Sequence, residues 1–405
     1  MKLKKKVLAA ALGAMMVSGA ASAVSVNGNA VGDLLIAPAY MVGGGWKTEF
    51  KVINTDQTNS VVAKVVVHRS IDSREVLDFM LYLSPADAWS GTLTCTNPDC
   101  SALLMTSDDD SVLQLNSTNF ATSALPARYP STPSVVVTPN GPVTIPVPYG
   151  YVTITESSIY ALAPNRPGVS KGAIRAAHEA DTRGVLTDVQ AIASTPSVLT
   201  GLVTLSNPLN GQLASIPMKA ISDYHNKVRL VVNKDSPMGL NSVASLSDVE
   251  DALWANNFAV PYTILEGSAY SFASITYPTK LTYRGSNGGQ YPFALSTPTA
   301  VSTVCLSPTI VYDMSENSIG TNISPLPQPV CTLEQEWLTM GNGKQINTGL
   351  YSTGWANINF GSPQVSIGQT SAPSQNIGKV GAPGIVTYIN TSGPQITWNY
   401  APFNN

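Results

Sequence analysis

The pattern in this sequence that comes nearest to a catalytic motif is Gly168-Val169-Ser170-Lys171-Gly172. Its spacing is that of a nucleophile elbow, which needs a buried strand before the serine and a helix after it. Pro164-Asn165-Arg166-Pro167 stands where the strand is required, and proline does not suit a central strand. We therefore interpret Ser170 as the N-cap of the following helix. Its histidine partner would have to be His178 or His225, and we predict no catalytic residue.

A second histidine motif is incomplete. His178-Glu179 begins like the helical zinc-protease motif, but the position of the second histidine is occupied by Thr182. We expect His178 to be exposed on its helix, beside an Arg175/Glu179 pair at helical spacing.

The acidic residues offer one candidate ion site. Asp108, Asp109 and Asp110 are consecutive and Asp99 is close in sequence. Ca²⁺ prefers carboxylate oxygens, although the spaced pattern of a calcium loop is missing. Calcium is therefore the one cofactor considered, and a solvated acidic turn is the alternative.

Sugar chemistry would need aromatic platforms and paired carboxylates. Trp46, Trp355 and Trp398 are candidate ligand-binding residues, with core packing as the alternative. Sequence does not give the distance between two carboxyl groups, so a glycosidase pair stays open. Its possible members are Glu75, Asp78, Glu156, Asp223 and Glu250.

The four cysteines are predicted to form two disulfides. Cys95 and Cys100 flank a turn, and Cys305 and Cys331 bracket a proline-rich loop of 25 residues. Neither a CxxC motif nor a Cys/His cluster favours a metal instead.

The fold is predicted from short strands separated by Gly, Pro, Asn and Asp. Period-two alternation is clearest from Glu75 to Ser84, with Leu77, Phe79, Leu81 and Leu83 on one face. Further strands are expected at 47–54, 61–68, 134–138, 143–147, 151–155, 199–206, 227–232, 270–276, 299–305, 385–390 and 395–400. The pattern predicts a mainly β protein, an antiparallel β-sandwich with a few short helical insertions.

Three helical insertions are predicted. The first covers 172–182 and continues to about 193. Capping boxes at Ser247-x-x-Glu250 and Thr332-x-x-Gln335 predict two more helices, which end near Asn256 and at Gly341.

The N-terminus predicts export. Four lysines precede an apolar run from Val7 to Val17, too short to span a bilayer, and Ala21-Ser22-Ala23 is a cleavage site. The signal peptide is residues 1–23. The product is expected in the extracellular space or at the cell surface, with the periplasm as a further possibility. No later segment approaches the length of a transmembrane helix, and the signal is bacterial in character.

Removing the signal leaves 22 − 4 = 18 basic residues against 25 acidic ones, a net charge of −7. This sign excludes a nucleic-acid partner. Charged residues are only 12% of the chain, and a surface of hydroxyls and amides tolerates close self-association.

Weakly marked domain boundaries suggest three regions after the signal: an N-terminal β domain (24–160), a mixed segment with helical insertions (161–260) and a C-terminal β region (261–405). The C-terminal region could pack with the N-terminal domain as one large domain. The segment 24–39 could add a strand to a neighbour's sheet or form the first strand of its own.

Three functions are compatible with these features. The first is an exported structural or adhesive protein of the cell surface, which associates with itself, with other surface proteins or with polysaccharide. The second is a secreted carbohydrate-binding protein or glycoside hydrolase. The third is an outer-membrane β-barrel, against which stand the helical patches, the cysteines and 29 prolines.

Overall fold

The computed structural model describes residues 25–26, 30–42, 45–70, 73, 75–95, 102–105, 134–138, 141–145, 149–161, 171–182, 197–209, 211–223, 246–255, 257–265, 269–279, 304–319, 331–332, 335–342, 344–365 and 382–392. This part of the chain is mainly β, in antiparallel sheets that pack as in a β-sandwich. The predicted fold class is confirmed. The predicted strands at 227–232 and 395–400 lie outside the described residues.

The first half contains thirteen described strands and one helix. They are β1 (Ser25–Val26), β2 (Leu34–Met41), β3 (Lys47–Asn54), β4 (Asn59–Arg69), β5 (Glu75–Leu83), β6 (Ala88–Cys95), β7 (Ala102–Met105), β8 (Ser134–Thr138), β9 (Gly141–Ile145), β10 (Tyr149–Ala161), α1 (Lys171–Thr182), β11 (Leu199–Asn207), β12 (Gln212–Pro217) and β13 (Lys219–Ser222).

The second half opens with a helix and is otherwise built of strands. They are α2 (Leu246–Leu253), β14 (Trp254–Ala255), β15 (Asn257–Thr263), β16 (Ala269–Thr276), β17 (Val304–Asp313), β18 (Ser318–Ile319), β19 (Cys331–Thr332), β20 (Gln335–Gly341), β21 (Ile346–Asn347), β22 (Thr353–Val365), β23 (Ala382–Pro383) and β24 (Ile385–Ser392).

Two sheets pack face to face in the first half. Sheet I has the order β1-β13-β2-β10-β4-β5, and sheet II has the order β12-β11-β3-β6-β7. Strand β3 shows why they pack: its residues alternate between exposed and buried, so one face is apolar. Phe50 and Val52 of that face join Val65, Leu81 and Ile154 of sheet I in one buried core.

A second pair of sheets forms the other half. Sheet III has the order β15-β22-β17-β18, and sheet IV has the order β21-β20-β16-β24. Between them lies a separate core that includes Val260 and Ile358 from sheet III and Ile275 and Leu338 from sheet IV.

Sheet IV is buried on both faces and joins the two halves. Its second face contributes Phe272, Trp337 and Ile389 to the core of the first half. Hydrogen bonds follow the same seam, since the backbone N–H of Gln335 donates to the carbonyl of Ser70 at 2.9 Å. The two sandwiches are therefore packed directly against each other.

The predicted helix between Thr332 and Gly341 is wrong. Residues 335–341 form β20, which pairs antiparallel with β16 along most of its length. Trp337 enters one core and Leu338 the other. Because both faces of the strand are buried, its apolar residues fall by chance at helical spacing.

The other two predicted helices are confirmed over 171–182 and 246–253. Helix α1 packs against β4 and β5 on the outer face of sheet I. An ion pair of 3.0 Å between Lys171 and Asp87 fastens its first turn. Helix α2 places Val249 and Leu253 against Leu34, Ile221 and Ile385, which belong to both halves.

The N-terminal segment belongs to its own sheet. Ser25 and Val26 of β1 pair with Ser222 and Ile221 of β13, and β2 lies between β13 and β10. Within the residues given above, the structure has no helix that is long and apolar enough to cross a membrane.

Candidate functional site

The structure describes two of the three candidate tryptophans, and these two lie in different environments. Trp46 is 7% exposed and packs in the core of the first half, so its burial argues against the predicted ligand role. Trp355 is half-buried on sheet III, and its ring stacks on Tyr312 with centroids 4.1 Å apart and planes 16° from parallel. Trp398 lies outside the described residues. Sequence reasoning missed Tyr312, because its partner follows 43 residues later and only strand pairing brings the two together.

The predicted calcium ligands Asp99, Asp108, Asp109 and Asp110 all lie outside the described residues. Among the residues that the structure describes, no group of three His, Cys, Asp or Glu side chains lies close enough together to hold a metal ion. The calcium prediction therefore stays a prediction.

The structure describes three of the four cysteines. Cys305 on β17 and Cys331 on β19 are direct register partners of an antiparallel pair. Cys95 ends β6, and Cys100 is outside the described residues. Pairing of Cys305 with Cys331 is compatible with this register, and both disulfides stay predictions.

The expectation that His178 is exposed is wrong. The side chain is 2% exposed, in the contact between α1 and sheet I. Its Nδ1 lies 3.2 Å from the Tyr82 hydroxyl and its Nε2 lies 3.5 Å from Ser157 Oγ. The spacing to Ile174, one turn earlier and fully buried, is the sequence signal that places His178 on the inner face of the helix.

The contact between Ser157 and His178 resembles the serine–histidine part of a catalytic triad, but it is closed to solvent. Ser157 is 4% exposed and Tyr82 is fully buried. Ser157 sits at a β-bulge of β10, where the register with β4 shifts between Glu156 and Ser158. The bulge turns Ser157 toward α1, and the three side chains link the helix to the sheet.

His68, also on the outer face of sheet I, is held equally tightly. Its Nδ1–H donates to the carbonyl of Ser73 at 2.9 Å, and Nε2 accepts from the hydroxyl of Thr153 at 2.9 Å. Its ring stacks on Tyr151 at 4.7 Å. Burial lowers the pKa of His68 to about 4, against a smaller opposing effect of the bond to Ser73. This histidine is neutral at physiological pH.

Of the candidate carboxylates, Glu156 has the most unusual surroundings. It follows Val152 and Ile154 on the core face of β10, is fully buried, and neither carboxyl oxygen has a hydrogen-bond partner among the residues described. Its backbone N–H donates to the carbonyl of Asp33, another fully buried acid, at 2.8 Å. Burial, then the charges of Asp33 and Asp56, raise the pKa of Glu156 well above its ordinary value.

The remaining candidate acids do not extend this pair. Glu250 is buried on α2 and Asp223 follows β13 with φ at 63°. Glu75 and Asp78 lie on β5. Asp33 was missed, since an isolated acid before an apolar strand carries no signal of its own.

No protein family model, curated protein or solved structure matches this chain. The functional argument therefore rests on the residues and their geometry.

Proposed function

We propose that this protein is an exported structural or adhesive protein that acts at the cell surface or outside the cell. The observation that carries the proposal is sheet IV, whose two faces are buried against different halves of the molecule. Packed interiors resist deformation. Two sandwiches that are packed against each other through sheet IV suit a building unit or a stiff adhesive protein.

The buried polar groups support the same proposal. His68 and His178 are satisfied inside packing contacts, 4% and 2% exposed, where solvent does not reach them. A hydrolase would need two acids facing each other across an open cleft. Glu156 and Asp33 are instead enclosed in the interior.

Export is supported by the sequence. The cleavage site after Ala23 makes Val24 the new N-terminus, one residue before the start of β1 at Ser25. The mature chain would then begin at a strand of the folded body. Edman sequencing of the protein recovered from outside the cytoplasm should begin at Val24.

Self-association is tested by size-exclusion chromatography and electron microscopy of the oxidised mature protein, residues 24–405. Filaments, sheets or regular particles are expected. A monomer that stays monomeric at high concentration and with added Ca²⁺ would overturn the assembly part of the proposal.

A second candidate, carbohydrate binding, is favoured by the partly exposed Trp355–Tyr312 stack.

A further inference from the structure

We propose that the outer face of sheet III is a binding surface for an uncharged polysaccharide, with Trp355 and Tyr312 as its aromatic platform. This inference rests on the second candidate function, carbohydrate binding, and deepens it by naming the surface and the class of ligand; it does not depend on self-association. It follows from how three strands align their outward residues.

Strand β22 shows which side chains point outward. Ala356, Ile358 and Phe360 enter the core, whereas Trp355, Asn357 and Asn359 alternate with them and are half-buried on the other face. Strand pairing then places the outward residues of β15 and β17 beside those of β22.

The result is a grid in which two rows run across all three strands, each with one residue from β15, one from β22 and one from β17. These rows are Pro261–Trp355–Tyr312 and Ala259–Asn357–Ile310. A shorter third row, Asn257–Asn359, extends the grid across β15 and β22, because the register of β17 shifts before Ile310. Neighbouring strands lie about 4.8 Å apart and alternate residues about 6.8 Å apart. The three rows therefore span more than one sugar ring.

The face is uncharged and mixes rings with amides. Its eight residues include no Asp, Glu, Lys, Arg or His. The negative face of an aromatic ring attracts the C–H groups of a sugar, and amides donate to and accept from its hydroxyls. A neutral glycan needs both kinds of contact and no counter-charge.

The platform is already ordered. Stacking at 4.1 Å fixes the two rings against each other. The hydroxyl of Tyr262 donates to the backbone carbonyl of Tyr312 at 3.1 Å from the opposite side of the sheet. Little side-chain entropy is then lost on binding.

The edge position of β15 also suits a ligand that is bound by side chains better than a peptide strand that is bound by backbone hydrogen bonds. Pro261 has no N–H, so it interrupts the backbone donors along that edge. Asn257, Ala259 and Pro261 are exposed, so the face is open to solvent on that side.

The test uses the oxidised mature protein with two insoluble uncharged polymers, cellulose and chitin, and with soluble cellohexaose and chitohexaose. Sedimentation with the polymers and titration of tryptophan fluorescence with the hexasaccharides measure binding. We expect at least one of these glycans to bind and Trp355→Ala to weaken that binding at least tenfold.

Matched variants separate binding from folding. Trp355→Phe, which keeps a ring, should retain most of the affinity, and Asn357→Ala should weaken it several-fold without removing any ring. Leu213→Ala, at an exposed position of sheet II, should bind like the wild type. Should Trp355→Ala fail to fold, as judged by circular dichroism, Asn357→Ala decides the outcome.

The proposal is overturned if the wild type binds none of the four probes, or if a folded Trp355→Ala or Asn357→Ala protein binds as tightly as the wild type. Either result can occur whether or not the protein assembles. Failure here is therefore distinct from failure of the structural role.

Discussion

The phenol of Tyr82 and the imidazole of His178 meet 3.2 Å apart, although 96 residues separate them in sequence. Tyr82 lies on β5 of sheet I and His178 on α1, so this contact fastens the helix onto the sheet. Replacing His178 by Ala leaves a cavity and withdraws a partner from two buried hydroxyls.

We expect His178→Ala to lower the free energy of unfolding by about 2–4 kcal/mol, and Tyr82→Phe to lower it by about 1 kcal/mol. Chemical denaturation at pH 7 measures both. The control is Ala176→Gln at an exposed position of the same helix, which should change stability by less than about 0.5 kcal/mol. Equal effects for His178→Ala and the control would contradict the contact.

His68 should make the protein less stable in acid. The pKa of His68 is about 4 in the folded state, whereas its ordinary value, which applies to the unfolded chain, is 6.5. Between these values the unfolded chain binds more protons, so stability rises with pH from 4 to 6.5 and then levels off. The difference corresponds to about 3 kcal/mol.

Denaturation at pH 4, 5, 6 and 7 measures this effect. His68→Gln is expected to be less stable than wild type at pH 7, because it loses the stack on Tyr151, and to lose less stability on acidification. An unchanged pH slope in the variant would show that His68 is not responsible.

Glu156 should act in the opposite direction. Its folded pKa is raised above the ordinary 4.5, so the folded state binds more protons and its advantage is lost as pH rises through the folded pKa. Each pH unit between the two values costs about 1.4 kcal/mol. Glu156→Gln should therefore gain stability relative to wild type as the pH rises above 4.5, as thermal melts at a series of pH values would show. A gain that does not grow with pH argues that Glu156 is already ionised in the fold.

The turn from Ser84 to Asp87 holds a residue in a conformation that favours glycine. Ala86 has φ at 55°, and the N–H of Asp87 donates to the carbonyl of Ser84 at 3.2 Å. Ala86→Gly should stabilise the protein by about 1 kcal/mol, because an L-residue pays for left-handed backbone. The matched control Ala88→Gly, exposed on the following strand, should destabilise it. Two changes of the same sign would refute the explanation.

Register partners in an antiparallel pair have Cα atoms about 4.5–5.5 Å apart, within the range that a disulfide spans. We expect mass spectrometry of non-reduced peptides to find Cys305 linked to Cys331. Replacing both by Ser should lower stability by about 3 kcal/mol in the chain-entropy model. Free thiols at both positions in the oxidised protein would disprove the pair.

Much of the fold could be predicted from local pattern. The strand 47–54 was predicted with its observed bounds, and the phase of Phe79, Leu81 and Leu83 places them in the core as expected. In strand 47–54 alternation works because one face is buried and the other is largely exposed. In β5, where residues 79–83 are all buried, the pattern remains visible because the partly polar Tyr82 lies between Leu81 and Leu83. The helix at 171–182 was recognisable for a similar reason, since its period differs from that of a strand.

In β20, where large apolar side chains enter a core from both faces, that signal disappears. Trp337, Leu338 and Met340 are all buried, and the spacing of Leu333, Trp337 and Met340 indicated a helix that does not exist. The candidate site also could not be predicted from local sequence pattern alone. Trp355 was recognisable as an aromatic residue able to bind a sugar, but Tyr312 and Pro261 lie beside it only because β17, β22 and β15 are neighbours.

The sequence by itself determined the mainly β character and the low charge, because composition and local periodicity carry them, and it predicts an export signal. The tertiary structure alone decided which residues meet: Tyr82 with His178, Asp33 with Glu156, and Trp355 with Tyr312. These contacts depend on strand order and on which face of each sheet is covered. Both are set by pairings between distant parts of the chain, which no local pattern encodes.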